Sequence, residues 1–335
     1  MKHLFYVHSN ITLLSCMAVI EKNDLKNILI LFGRSYTNSY INLDYKVLQL
    51  PKLIIQLDQI PTSGIFKPFW IAQRLSSLDK ILQQENNETF CCYLPHTNNF
   101  LMQAIITHPS CIEFNIIDEG LLNYSAPNYF IKQTNPLYSQ QFFLKRRVKY
   151  FSYFNRSIVF KSIKAELNTI YLFKQSDFSN LNYLFSQINY PDLNLELISM
   201  DNKHVFVFDN AIQENLIEEK DFYILILKIF NNFKDLDLYI KFHPAQINVD
   251  RIITQLSTLN LRFSIIPNDI PLELVFVKSK NMTIYGIWSS LLFYATVSNH
   301  LVISYAGTAG IISKKAKEWT ESYMPKIFYK NIQLR

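Results

Sequence analysis

Glycine is scarce in this chain. The 335 residues include only 6, where ordinary usage of about 7% would give roughly 23. They are Gly33, Gly64, Gly120, Gly286, Gly307 and Gly310. No three have the G-x-G-x-x-G spacing, which excludes a glycine-built dinucleotide loop, and no pair has the Walker A spacing, which excludes that phosphate loop. Glycine linkers and collagen-like repeats are excluded as well. Cysteine is also sparse: Cys16, Cys91, Cys92 and Cys111 form no C-x-x-C, and no His/Cys group has metal-ligand spacing. They read as buried free thiols of a reducing compartment. No run of about 18 uninterrupted apolar residues exists, so no membrane-spanning helix is expected. The N-terminal stretch MKHLFYVHSNITLLSCMAVIEK is broken by His8, Ser9 and Asn10 and lacks a small-residue cleavage site. It reads as a strand, a loop and a helix, not as a signal peptide.

What is present is apolar and aromatic. Apolar residues make up 49% of the chain, charged residues only 18% and aromatics 15%, with 26 Phe and 20 Tyr. The length suggests two domains, each with enough chain for its own core. The net charge of +6 lies wholly in the first half, where residues 1–170 hold 17 Lys and Arg against 11 Asp and Glu; residues 171–335 balance at 16 and 16. The sharpest basic run, 142–164, contains Lys145, Arg146, Arg147, Lys149, Arg156, Lys161 and Lys164, interleaved with Phe and Tyr and free of acid. Such a mixture suits an anionic membrane surface; an ordinary solvated segment explains it equally well.

Along the chain, short apolar runs alternate with helical patterns. Strands are expected at Leu4–Val7, Asn27–Leu31, Thr89–Leu94 and Ile112–Ile117, with helices from Ile11 to Lys22, Phe69 to Gln84 and Asn98 to Thr107. The polar segment 174–203 is the expected boundary. Beyond it, strands are expected at Val205–Phe208, Leu236–Phe242, Arg262–Ile266, Met282–Tyr285 and Leu301–Ser304. Helices are expected at Asp221–Phe233, Val249–Leu259, Pro271–Val275 and Ser289–Thr296, with a helical tail to about Tyr323. No internal repeat is apparent beyond this rhythm. The alternation predicts an α/β protein with parallel sheets. Its domains are 1–175, 200–310 and a tail 311–335, with Gly307 and Gly310 as a hinge or turn.

Open α/β sheets bind ligands at the carboxyl ends of their strands, and three of those ends carry chemistry. Asp118-Glu119-Gly120 follows Ile112–Ile117. Adjacent strand residues point to opposite faces, so one of the two carboxylates can face a cleft and act as a general base; a plain turn is the ordinary alternative. His243-Pro244 follows Leu236–Phe242. An imidazole there can protonate or hydrogen-bond a leaving phosphate, although His108-Pro109 repeats the dipeptide without a role. Gly286-Ile287-Trp288-Ser289-Ser290 follows Met282–Tyr285, and a helix opened by two serines is a phosphate site or simply a capped helix.

In this order, carboxylates, His-Pro and a serine pair, the chain resembles the bacterial sialyltransferases of the GT-B type. It is most similar to the lipooligosaccharide sialyltransferases (glycosyltransferase family 52), with capsular polysialyltransferases as relatives. The resemblance spans roughly 110–305. It implies two Rossmann-like domains facing a cleft and inverting transfer of sialic acid from CMP-sialic acid to a sugar hydroxyl, galactose by expectation. On the same resemblance Asp118 is the base, Glu119 supports it, and His243 stabilises or protonates the departing CMP phosphate. Ser289 and Ser290 bind phosphate, and Gly286, Pro244 and Gly120 shape the backbone. Some lipooligosaccharide enzymes use an Asp after the first strand of the second domain, for which Asp209 is the nearest match.

No metal or other cofactor is demanded. The one D-x-D triplet, Asp235-Leu236-Asp237, precedes its strand, the wrong end for a cleft ligand. Acceptor contacts are expected from Arg34 and the loop 123–130. No nucleic-acid partner is expected, and a homodimer is compatible with the reading. The expected place is the cytoplasm, peripheral on the inner face of the inner membrane through 142–164. The competing readings are chain-extending polysialyl transfer, use of another nucleotide sugar, and a non-catalytic nucleotide-sugar or membrane-binding protein.

Overall fold

The computed structural model describes residues 1–34, 36, 43–55, 67–84, 89–96, 100–106, 108, 110–119, 170–171, 199–268, 270–324 and 332–335. The basic run 142–164, the loop 123–130, Gly64 and Gly120 lie outside them. The described residues fall into two compact units, 1–119 with 170–171, and 199–335.

The first unit runs β1 (Lys2–Val7), α1 (Asn10–Lys22), β2 (Ile28–Phe32), β3 (Lys46–Gln49), α2 (Lys52–Ile55), α3 (Lys67–Gln84), β4 (Phe90–Leu94), α4 (Phe100–Ile106), β5 (Cys111–Ile117) and β6 (Ile170–Tyr171). Its sheet has the order β3-β2-β1-β4-β5-β6, and every pairing is parallel. A parallel sheet covered on both faces needs strands that are apolar throughout; β2 and β4 are buried along their whole length. Leu4, Tyr6, Leu29, Leu31, Phe90 and Cys92 of the strands pack with Leu78, Leu82, Leu101 and Ile105 of the helices. Helix α1 starts sharply because Ser9 and Thr12 form a reciprocal capping box.

The second unit runs β7 (His204–Val207), α5 (Glu219–Phe230), β8 (Asp237–Lys241), α6 (Val249–Ser257), β9 (Arg262–Ile265), α7 (Leu272–Lys278), β10 (Thr283–Gly286), α8 (Ser290–Val297), β11 (Leu301–Ser304), α9 (Ala306–Ile312), α10 (Lys314–Tyr323) and β12 (Gln333–Leu334). Its sheet is ordered β12-β11-β10-β7-β8-β9, again parallel throughout. Aromatic rings pack against one another in its core. Phe206 and Phe230 approach to 4.7 Å between ring centroids, Phe208 stacks on Phe242 at 4.9 Å, and Phe233 meets Tyr285 edge-on at 4.7 Å.

Numbered within its own unit, each sheet has the same order, 3-2-1-4-5-6, which is the dinucleotide-fold order. The likeness extends to side chains. Lys2-His3-Leu4-Phe5 opens β1, and Lys203-His204-Val205-Phe206 leads into and along β7. His3 Nδ1 lies 3.1 Å from the Tyr93 hydroxyl on β4, and His204 Nδ1 lies 3.0 Å from the Tyr285 hydroxyl on β10. The expectation of no internal repeat is therefore corrected. The two units share a pattern that only the strand pairing brings into register, and it makes His8 and Asp209 corresponding strand exits.

Other corrections are local. Gly307 and Gly310 are not a hinge but lie within α9. A Cβ on Gly307 would sit 2.8 Å from the carbonyl oxygen of Arg335, so the residue is small because β12 and its exit close on the helix. The short β3, β6 and β12 and helix α2 were not anticipated; each has four residues or fewer, too few for a periodicity. Among the described residues no helix is long and apolar enough to cross a membrane, and all four cysteines are free.

Candidate active site

The carboxyl ends of the first sheet gather a charged cluster. β1 delivers His8, β2 delivers Gly33 and Arg34, β4 delivers Pro95 and His96, and β5 delivers Asp118 and Glu119. His8 Nε2 is 2.7 Å from Glu119 Oε1, His96 Nε2 is 3.7 Å from Oε2, and an Arg34 guanidinium nitrogen is 3.8 Å from Oε1. A second Arg34 nitrogen lies 3.2 Å from His96 Nε2. Arginine has no acceptor, so it donates and His96 Nε2 offers its lone pair. Arg34 reaches the cluster from a left-handed backbone position, φ 50°.

The two carboxylates of the motif are placed differently, as strand alternation requires. Asp118 is completely buried, and its backbone carbonyl accepts the Ser15 hydroxyl at 3.1 Å. The Glu119 side chain keeps 27% of its surface. Burial pushes the Glu119 carboxyl up, but the hydrogen bond to His8 and the electrostatic attraction of the flanking residues, Arg34 among them, outweigh it and hold the carboxyl below its ordinary value.

In the second sheet β7 leads to Asp209, β8 to His243-Pro244, and β10 to Trp288, Ser289 and Ser290. The Ala245 N–H donates to His243 Nδ1 at 3.1 Å. The accepting nitrogen is thereby Nδ1, and the neutral ring carries its proton on Nε2. Burial lowers the His243 pKa from 6.5, with Glu214 opposing, so at neutral pH this ring is an uncharged N–H donor. Ser289 caps α8, its hydroxyl accepting the Leu291 N–H at 3.3 Å, and Ser290 is the helix's first residue. Gly286 is required by close approach: a Cβ there would stand 2.9 Å from the Val207 carbonyl oxygen. The strand can then run into the serine loop directly against β7.

Asp209 is not held as a free carboxylate. Oδ2 accepts the Trp288 N–H at 2.9 Å and Oδ1 the Ala211 N–H at 3.2 Å, which ties the exit of β7 to the loop before Ser289. The Trp288 indole in turn donates to Thr320 Oγ1 of α10 at 2.9 Å. Burial raises the Asp209 pKa from 3.8 to about 6, against these backbone hydrogen bonds. The fold thus favours the protonated carboxyl. Its stabilising effect is full below pH 3.8 and is lost as pH rises through about 6. Relative to Asp209→Asn, the wild-type chain is expected to lose up to about 3 kcal/mol of stability over that window, at about 1.4 kcal/mol per pH unit. Chemical denaturation of both chains across pH 3.5–7 checks this; a flat difference contradicts it.

Asp235 and Asp237 precede β8 or open it, and Asp237 makes an exposed 3.2 Å ion pair with Arg262, away from the strand exits. His8 and His96 belong to none of the three sequence motifs. The signal was available, because each directly follows, or follows by one residue, an apolar strand as His243 does.

A family model described as alpha-2,8-polysialyltransferase (POLYST) matches residues 3–302. No curated sequence matches the chain. Among solved structures, a putative UDP-N-acetylglucosamine 2-epimerase from Listeria monocytogenes is 11% identical, with a TM-score of 0.50 over 96% of this chain and 88% of that one. The alpha/beta-galactoside alpha-2,3-sialyltransferase of Photobacterium phosphoreum is 12% identical, with 0.49 over 99% and 98%. The GT-B domain of a Photobacterium damselae sialyltransferase is 12% identical, with 0.47 over 100% of each chain. The epimerase likeness is one of fold alone, at an identity too low to speak for the reaction. The family match covers most of the chain, and it bears out the resemblance to bacterial sialyltransferases that the three motifs carry. The chain is a glycosyltransferase of two parallel α/β units and belongs to the alpha-2,8-polysialyltransferase family.

Proposed function

We propose that the chain moves sialic acid from CMP-sialic acid to the hydroxyl of a terminal sialic acid on a surface glycan, extending a polysialyl chain. The family match over residues 3–302 is the observation that carries this reading. The geometry supports a division of labour. Departure of CMP leaves an oxocarbenium-like sialyl centre and concentrates charge on the phosphate. In the second unit the His243 Nε2–H and the N-terminus of α8, with Ser289 and Ser290, are donors suited to that charge. Asp209 holds their loop and Gly286 lets it approach β7, so Asp209 serves as a positioning residue and not as the base. Pro244 ends the strand at the histidine.

In the first unit Glu119 takes the base role that the motif alone assigned to Asp118. Asp118 is sealed from any acceptor, whereas Glu119 is ionised, partly exposed and oriented by His8. Its low pKa limits its proton affinity in the free protein, and burial under an acceptor raises that affinity. Arg34 and His96 flank it as contacts for the acceptor.

Donor binding tests the reading first. CMP should raise the melting temperature of the chain, and the shift should shrink in Ser289→Ala/Ser290→Ala. No shift with CMP or CMP-sialic acid would remove the donor. The acceptor is tested separately by offering a sialic-acid-terminated glycan beside a galactose-terminated one of the lipooligosaccharide type. Transfer only to galactose would restore the lipooligosaccharide reading.

A further inference from the structure

We propose that His8, His96 and Glu119 also form a binding site for a zinc-class divalent cation, which enters by displacing Arg34 and blocks transfer while bound. The three side chains come from three strand exits, after β1, β4 and β5, and their ligand atoms all lie within 4.8 Å of one another. Four ligands at zinc–nitrogen distances stand roughly 3.3 Å apart in a tetrahedron; His8 Nε2 is 2.7 Å from one Glu119 oxygen and His96 Nε2 is 3.7 Å from the other, so small side-chain movements would close the three ligands on one ion. Two imidazoles with one carboxylate select zinc, cobalt or nickel over magnesium or calcium. Three protein ligands leave a fourth position for water, and the exposed side of Glu119 is where it would lie.

The polarity of the cluster is already that of a cation site. His96 Nε2 presents its lone pair, as the Arg34 contact shows. His8 would turn its Nε2 lone pair to the metal and carry its proton on Nδ1, which has no hydrogen-bond partner among the described residues. Arg34 supplies the positive charge in this structure. Its side chain is 44% exposed, so it can turn outward and give up its contacts with His96 and Glu119. The blocking effect, though not the binding, rests on Glu119 being the base, because a cation bound to the carboxylate lowers its affinity for the acceptor's proton and occupies the position the acceptor hydroxyl needs.

The experiment is equilibrium binding of Zn²⁺ to the full chain against a chromophoric chelator, with Co²⁺ absorption as a second readout. One ion per chain is expected, with a tetrahedral cobalt spectrum. His96→Gln and Glu119→Gln should each weaken binding by at least about tenfold, the scale on which even outer-shell losses act, and His243→Gln should leave it unchanged. Arg34→Ala should tighten it, a gain that a merely structural role for Arg34 would not produce. Metal-free melting curves show that each variant folds; if Glu119→Gln does not, His96→Gln and Arg34→Ala decide. Absence of saturable binding, binding that His96→Gln leaves intact, or binding that Arg34→Ala fails to tighten overturns the site. Zn²⁺ should also stop turnover, and a chelator should restore it. If Glu119 is not the base, metal-free Glu119→Gln keeps its turnover while the unsubstituted chain still binds the ion. If only the metal site is wrong, Glu119→Gln is inactive and no ion binds.

Discussion

Glu119→Gln is expected to cut sialyl transfer by a factor on the order of 10²–10⁴, the usual contribution of a positioned general base, while CMP still binds. The amide keeps the shape of the side chain and can still meet His8, so the fold should survive, but it cannot take a proton. Asp118→Asn should behave differently. Asp118 is fully buried at the exit of β5, so that variant should change stability before it changes chemistry, and its folded fraction should retain turnover. Rates at saturating donor and acceptor, with CMP affinity measured on the same preparations, separate the two cases. Loss of turnover in Asp118→Asn, with Glu119→Gln active, would return the base to the first carboxylate of the motif.

His243→Ala is expected to lower kcat by roughly 10²–10³, the scale set by removing one donor from a developing oxyanion, with a smaller effect on donor affinity. The argument rests on the tautomer. Because the Ala245 N–H occupies Nδ1, the proton is on Nε2, and burial keeps the ring neutral at pH 7. The donor bond strengthens as charge leaves the sialyl carbon for the phosphate, so its loss falls on the transition state more than on the ground state. His243→Gln, which retains a donor of similar reach, should recover part of the rate. A variant that raises KM for the donor with kcat unchanged would make His243 a binding residue only.

Much of this was legible in the sequence because parallel strands are nearly continuous apolar runs and their exits are marked by the residues that break them. Leu301–Ser304 was read to the residue, and the motifs at Asp118-Glu119, His243-Pro244 and Ser289-Ser290 all stand at strand exits as expected. What was not legible needed three dimensions. Which of two adjacent carboxylates faces out is fixed by the pleat of β5 and the packing of α1 against it: Asp118 is buried and Glu119 stays partly exposed, which is the ground for proposing Glu119 as the base. Asp209 is a second candidate base on the sequence, and only the structure shows its contacts with the Trp288 and Ala211 N–H groups, which tie the exit of β7 to the serine loop. His8, His96 and Glu119 are separated by up to 111 residues in the chain; three parallel strand exits bring them together. The scarcity of glycine finds a physical reading at Gly286, where the fold brings a neighbouring backbone too close for any side chain.

The central claim, that this chain extends a sialic acid chain from CMP-sialic acid, is tested most directly by product analysis. The chain is incubated with CMP-sialic acid and a short α-2,8-linked sialic acid oligomer, and released CMP is measured beside the length of the glycan. The account expects CMP release that depends on the oligomer and a matching growth of the product by whole sialic acid units. CMP release that the oligomer does not accelerate, or an oligomer that never lengthens, would contradict it.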